Sequence, residues 1–227
     1  MSDWDRIIAD LHNIEDMDCA IAACDALDKS ADESWLPQLH QLLAHGRDFF
    51  VREAAAYPIA RLEGLSALPR LLNGMQLGEN DGHDNDGLSE LVVDLISANP
   101  KEAEPTLIQM ISSASERERS DAAWLWGFAA KTLASEPLMT ALNDASPRVR
   151  AAAIGSLCSY QSRDDIFARL MQSLNDPDEE VLSSTVTALG YYGNKRAISR
   201  LRELLSNPSK QVNRRVIYAI EQLENDG

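Results

Sequence analysis

The stretch "NDPDEEVLSSTVTALGYYGNKRA", Asn175 to Ala197, decides the fold, because a looser copy, "NDASPRVRAAAIGSLCSYQSRDD", runs from Asn143 to Asp165. Both open on Asn-Asp and place a valine five residues after that aspartate (Asp144 to Val149, Asp176 to Val181). Both then enter an Ala-rich apolar run. The two aspartates are 32 residues apart. A third copy, "SNPSKQVNRRVIYAIEQL", puts Val212 31 residues after Val181, with Ile220 eight past its valine as Leu189 is past Val181. Upstream, "SASERERSDAAWLWGFAA" aligns two periods away, setting Gly127 against Gly190. Further upstream, "HGRDFFVREAAAYPIARL" supplies Val51 and, eight residues on, Ile59.

Between these copies lie "WLPQLHQLLA", "ALPRLLNGMQL", "AEPTLIQMISS", "SEPLMTALN", "IFARLMQSLN" and "AISRLRELLS", each with Leu, Ile or Met at helical spacings of three and four. The unit is therefore helix, short turn, helix, recurring about every 31–33 residues. Helices of ~10–14 residues are marginal alone, and each pair carries apolar residues on more than one side, so a pair stays folded by stacking on its neighbours. The turn chemistry agrees. Asp or Asn precedes the second helix, and Pro147, Pro177 and Pro208 sit near its start, where a missing N–H costs little. Pro37, Pro69, Pro105 and Pro137 are expected at early positions of first helices. No stretch alternates with period two, so no strand is expected.

Composition narrows the function classes. The chain of 227 residues is 44% hydrophobic and 25% charged, as folded domains are. No window nears the ~20 apolar residues of a membrane span, and "MSDWDRIIADL" lacks the basic-then-apolar plan of an export signal. Three scattered cysteines (Cys19, Cys24, Cys158) make no disulfide framework, and a cytoplasmic location is expected. The net charge of −15 is uneven. Residues 1–100 hold 19 Asp/Glu against 6 Lys/Arg, and residues 101–227 hold 17 against 15. An acidic amino-terminal half repels nucleic acid and anionic lipid. Lys195–Arg215 reverses the sign, with seven bases and one acid, Glu203.

The pattern L-P-x-L…D-P…V-R-x-A-A-x-A-L-G resembles HEAT repeats, in particular the short HEAT-like type also found in phycobilisome lyase subunits. The resemblance covers Ser34 to Asn225 strongly and residues 1–33 weakly. It implies an all-α single domain over residues 1–227: an α-solenoid, a right-handed superhelix of about six HEAT-like helix pairs. Residues 1–33 form a degenerate amino-terminal cap, and a loop insertion falls at 78–87. It also implies a structural ladder in which Arg52, Arg119 and Arg150, each following the Val149-equivalent position, bond acidic residues of adjacent turns, with Asp144 and Asp176 as partners. Leu182 and Asn213 interrupt that ladder.

Several residues stand out as possible working parts. In "AAWLWGFAA", Trp124 and Trp126 cannot share one helix face, so one indole is expected in the core and the other on the inner surface, where it would anchor a partner. Tyr160, Tyr191 and Tyr192, with the bases Arg214 and Arg215, are the other candidate partner contacts. The insertion "GENDGHDNDGL" offers Asp81, His83, Asp84 and Asp86 as weak metal candidates. A calcium loop fails there, because Gly82 holds the first ligand place and Val93 the twelfth. Asp86 or Gly87 is expected to cap the following helix, and the loop itself is expected to project as a protein contact.

Catalytic patterns are missing from the sequence: His12, His40, His45 and His83 make no H-E-x-x-H, and there is no P-loop, G-x-G-x-x-G or G-x-S-x-G. The reading that follows is a non-catalytic scaffold without cofactor. It binds a protein partner bearing a basic patch on its concave face, while Lys195–Arg215 meets an acidic one. Three alternatives attach to the resemblance. One is a HEAT-like DNA glycosylase or other nucleic-acid module, to which Asp121, Trp124 and Trp126 are similar but for which a basic track is lacking. The others are a bacterial immunity-type protein masking a basic toxin and a bilin lyase or chaperone-like subunit.

Overall fold

The computed structural model describes every residue except 1, 14, 47, 48, 81, 83, 84, 226 and 227. Among the described residues all regular structure is helical. The chain divides into two compact units, Met1–Ala98 and Asn99–Gly227.

The first unit contains α1 (Asp3–Leu11), α2 (Met17–Ser30), α3 (Leu36–His45), α4 (Phe49–Glu63), α5 (Leu68–Asn80) and α6 (Asp86–Ala98). These pack as consecutive pairs, α1 on α2, α3 on α4 and α5 on α6, with α4 touching both α2 and α6. The weakly patterned amino terminus is a helix pair in its own right. Ser2 and Asp5 close a capping box at the start of α1. Ile7, Leu11, Ala20, Ala23 and Leu27 line the seam of that pair. α4 is the most enclosed helix of the unit, burying Val51, Ala54, Ala55, Ala56 and Ile59, and its small alanines allow neighbours close on two sides. Pro58 lies inside it and removes one helical hydrogen bond.

The second unit contains α7 (Pro100–Ile111), α8 (Glu116–Trp126), α9 (Glu136–Ala141), α10 (Pro147–Leu157), α11 (Asp164–Ser173), α12 (Glu179–Tyr192), α13 (Ile198–Glu203) and α14 (Lys210–Asn225). Its backbone is the series α8, α10, α12, α14, each second helix packed on the next, with α7, α9, α11 and α13 as their first-helix partners. The helical-pair repeat read from the sequence is the architecture of each unit.

The repeat register explains the core. Val51, Val149, Val181 and Val212 are at most 1% exposed, and eight residues on Ile59, Leu157 and Leu189 are fully buried. Each such side chain contributes about 1.5–3 kcal/mol on burial. Helix starts follow the turn chemistry: Ser146 caps α10 with Pro147 at its first position, and the Asp178 carboxylate accepts from the Glu180 and Val181 amides. Two expectations shift. Pro177 and Pro208 fall in the turns before their helices, and Pro105 lies inside α7, which begins at Pro100 because Pro100 itself supplies the helix start.

The insertion is shorter than it reads, since α5 runs on to Asn80 and α6 starts at Asp86. Neither Asp86 nor Gly87 precedes α6. Asn85 does, its carbonyl accepting from the Ser89 amide at 2.8 Å. Asn85 adopts φ 59°, a left-handed conformation Asn tolerates better than most residues. Its buried side chain donates to the Met75 carbonyl at 2.8 Å, tying α5 to α6. Gly78 makes room, since a Cβ there would meet the Asn85 carboxamide oxygen at 1.9 Å.

Candidate protein-interaction face

The second helices position the site, and the inter-helix turns position the second helices. Arg119 reaches Asp144 of the following turn through two bonds of 2.7 and 3.0 Å, and Arg150 reaches Asp176 through two of 2.8 and 2.9 Å. Each arginine also donates back to its own turn, Arg119 to the Ser113 carbonyl and Arg150 to the Asp144 carbonyl. Each aspartate in turn accepts from a backbone amide two residues on, Ser146 or Asp178. One arginine thus clamps two successive turns. The Arg119 bond is the main reason the Asp144 carboxyl lies below its ordinary value. At Asp176 burial pushes upward, but the bond from Arg150 and the Asp178 amide outweigh it, so the net direction is again down.

Where the ladder stops, a neutral version of the turn remains. Asn213 donates to the Asn207 carbonyl at 2.9 Å, six residues back as in the arginine repeats, and the Asn207 side chain accepts from the Ser209 amide. Arg52 likewise donates to the carbonyl six residues back, that of Gly46, at 2.9 Å.

With turns aligned, equivalent positions on α8, α10, α12 and α14, or just past the ends of α8 and α10, form rows. Six residues past the valine position come Trp124, Gly155, Thr187 and Tyr218. Ten past it come Phe128, Ser159, Tyr191 and Gln222. None of these eight is buried. The face therefore has aromatic edges, Trp124 with Phe128 at one side and Tyr191 with Tyr218 at the other, around a floor of small residues. Trp124 and Phe128 stack edge-on with ring centres 5.4 Å apart. Phe128, Tyr191 and Tyr218 are 45%, 58% and 56% exposed. At Gly155 an added Cβ would meet nothing within 4 Å, so the floor is open. Arg215 donates to Thr187 across neighbouring helices at 3.1 Å.

The aromatic candidates thus separate by register. Trp126 falls at the core position eight past the valine equivalent, is fully buried, and donates its indole N–H to the Ala134 carbonyl at 2.9 Å. It is unavailable to a partner. Tyr160 and Tyr192 are likewise turned inward. The Tyr160 hydroxyl donates to the Leu133 carbonyl at 2.9 Å, and burial pushes its pKa up to about 12. The Tyr192 hydroxyl accepts from the Arg163 amide at 2.8 Å. Both phenols brace the preceding repeat's loop. Trp124, Phe128 and Tyr191 remain on the face, joined by Tyr218 and Gly155, which sequence reading passed over although the six-residue spacing marks them.

The basic stretch is mostly engaged already. Arg196 pairs with Asp164, Arg200 with Glu203 and Asn175, Arg202 with Glu224, and Arg215 with Thr187. Arg214 is exposed. In the first unit, Tyr57 sits at the same six-residue register and is 41% exposed. Burial raises its pKa, with the charges of Glu53 and Glu90 adding to that rise. Burial, helped by Asp25 and Glu53, holds the neighbouring Cys24 thiol up at about 11, so at neutral pH it is no nucleophile.

Of the metal candidates, Asp81, His83 and Asp84 lie outside the described residues, and Asp86 is exposed at the first position of α6. Among the described residues no three His, Cys, Asp or Glu side chains gather as a metal site, and no helix is long and apolar enough to cross a membrane.

The segment from Ser135 to Glu221 matches the family model described as HEAT repeats. No curated protein sequence matches the chain. Among solved structures, an engineered protein is 21% identical over 99% of each chain, with a TM-score of 0.47. Human deoxyhypusine hydroxylase in complex with glycerol is 15% identical over 97% of this chain and 95% of its own, TM-score 0.45. A designed armadillo repeat protein in complex with peptide (KR)4 is 17% identical over 98% of this chain and 100% of its own, TM-score 0.42. The matched segment contains α10, α12 and most of α14. The preceding α8, with Glu118 in the valine position and Trp126 in the leucine position, lies outside it.

Proposed function

We propose that this protein is a non-catalytic interaction scaffold that holds a protein partner against the exposed face of its second helices. The observation that carries this is the pair of aromatic edges flanking the open floor at Gly155. A part-exposed Trp and exposed Tyr beside small residues are a surface that readily supplies binding energy, because large rigid rings give contact area at low entropic cost. Charge supplies the second element. The first unit, with 19 Asp/Glu against 6 Lys/Arg before residue 99, favours a partner with a basic patch, chiefly by accelerating encounter. Lys195, Lys210 and Arg214 remain for a smaller acidic contact. Three free cysteines accord with a reducing, cytoplasmic setting.

The test is capture of partners on the immobilised protein at low salt, repeated with Trp124→Ala and Tyr218→Ala. The proposal expects a discrete partner retained by the parent protein and lost from both variants. A partner retained equally by all three would place binding elsewhere. Tight low-salt association with duplex DNA would favour the nucleic-acid alternative.

A further inference from the structure

Between the carboxyl ends of α12 and α14 lies a notch of about 330 Å³, lined by Gly190, Tyr191, Tyr218, Glu221, Gln222 and Asn225. Its chemistry is one-sided. Tyr191 and Tyr218 are both more than half exposed, offering uncovered π-faces. Glu221 has no ion-pair partner among the described residues, whereas Glu224, one turn on, is held by Arg202 at 2.7 Å. The Gln222 side chain donates to the Tyr218 hydroxyl at 3.2 Å, and its carboxamide oxygen is enclosed with no donor facing it. Gly190 permits this arrangement, since a Cβ there would stand 2.9 Å from that oxygen. Both helices end at the notch, α12 at Tyr192 and α14 at Asn225, so their terminal carbonyls add negative potential.

Two exposed rings, an unpaired carboxylate and two helix carboxyl ends together favour a cation over an anion. We propose that the notch receives the ammonium group of a lysine side chain presented by the protein partner. The rings meet the cation and the alkyl stem, and the Glu221 carboxylate accepts its N–H groups. A compact ammonium with three rotatable donors suits acceptors converging from several directions, whereas a planar guanidinium directs its donors in one plane. This inference rests on the scaffold reading of the same face and names what that face recognises at its carboxyl-terminal end.

The experiment is a backbone-amide NMR titration of the full chain with two capped pentapeptides, Gly-Gly-Lys-Gly-Gly and its norleucine counterpart, which keeps the stem and loses the charge. The lysine peptide should shift the amides of Gly190, Tyr191, Tyr218, Glu221 and Gln222 saturably, and the norleucine peptide should bind about 5-fold or more weakly. Glu221→Gln should weaken lysine binding about 3-fold or more, and Tyr218→Ala should abolish it, each with an otherwise unchanged spectrum. Equal response to both peptides, or full binding by Glu221→Gln, overturns the cationic assignment. Shifts confined to residues 2–98 overturn the notch while leaving the basic-partner reading intact. No shift in either unit counts against both.

Discussion

Arg150 shows how much one side chain does in this fold. It bonds both oxygens of Asp176 and the carbonyls of Asp144 and Ala145, with its own side chain 14% exposed. Arg150→Ala leaves those acceptors unmet and should lower unfolding free energy by about 2–3 kcal/mol, read from the denaturant midpoint at unchanged slope. The same variant should flatten the acid limb of the stability curve. Asp144 and Asp176 have folded pKa values below the unfolded one. Their contribution is therefore complete above about pH 4 and lost as pH falls through the lower folded values. Glycines divide in the same way. An alanine Cβ at Gly190 would stand 3.1 Å from the Ala219 Cβ and 3.2 Å from its Cα, so Gly190→Ala should cost about 1–3 kcal/mol by prising α12 from α14. Gly155 faces open space inside a helix. Gly155→Ala should stabilise by about 0.5–1 kcal/mol, and a thermal melt separates the two. Gly190 was visible in the sequence only as a repeat of Gly127. The neighbour each glycine admits, Ser156 or Ala219, was not.

At the scale of the element, α5 and α6 are joined by a residue that reads as loop filler. Asn85 combines a left-handed backbone with the buried bond to the Met75 carbonyl. Asn85→Gly keeps the backbone and loses the bond, whereas Asn85→Ala loses both. Alanine should therefore destabilise more than glycine, by about 1 kcal/mol, reversing the order expected inside a helix. Finding glycine the worse substitution in equilibrium unfolding would show that the left-handed turn is not what matters. α8 teaches the complementary lesson. Its Trp-Leu-Trp implies one buried and one outward indole without saying which, and the eight-residue register sends Trp126 to the core while the six-residue register leaves Trp124 outside. Counting from the valine position, rather than by residue type, sorts Tyr191 from Tyr192 and brings in Tyr218.

For the whole molecule the decisive property is the uneven charge. With 19 Asp/Glu and 6 Lys/Arg in residues 1–98, association with a basic partner should slow about 10-fold or more between 50 and 500 mM salt as screening shortens, while dissociation changes less. Stopped-flow association at several salt concentrations reads this directly. A salt-independent association rate would assign recognition to the aromatic edges alone.

Period, helix pairing and the buried valine column were all legible in the sequence, because repetition samples the same physical problem several times and its solution recurs at fixed spacing. Which aromatic side chains stay uncovered was decided only in three dimensions. An aromatic ring is equally apolar in the core and on the surface, and whether it is covered depends on how closely the next helix approaches. That approach is set by small residues a full repeat away, Gly127 against Ser156 and Gly190 against Ala219, whose effect exists only once the helices are packed. Tyrosine hydroxyls met by loop carbonyls and bases met by carboxylates from the preceding or following repeat are likewise contacts between distant residues, which spacing along the chain does not record.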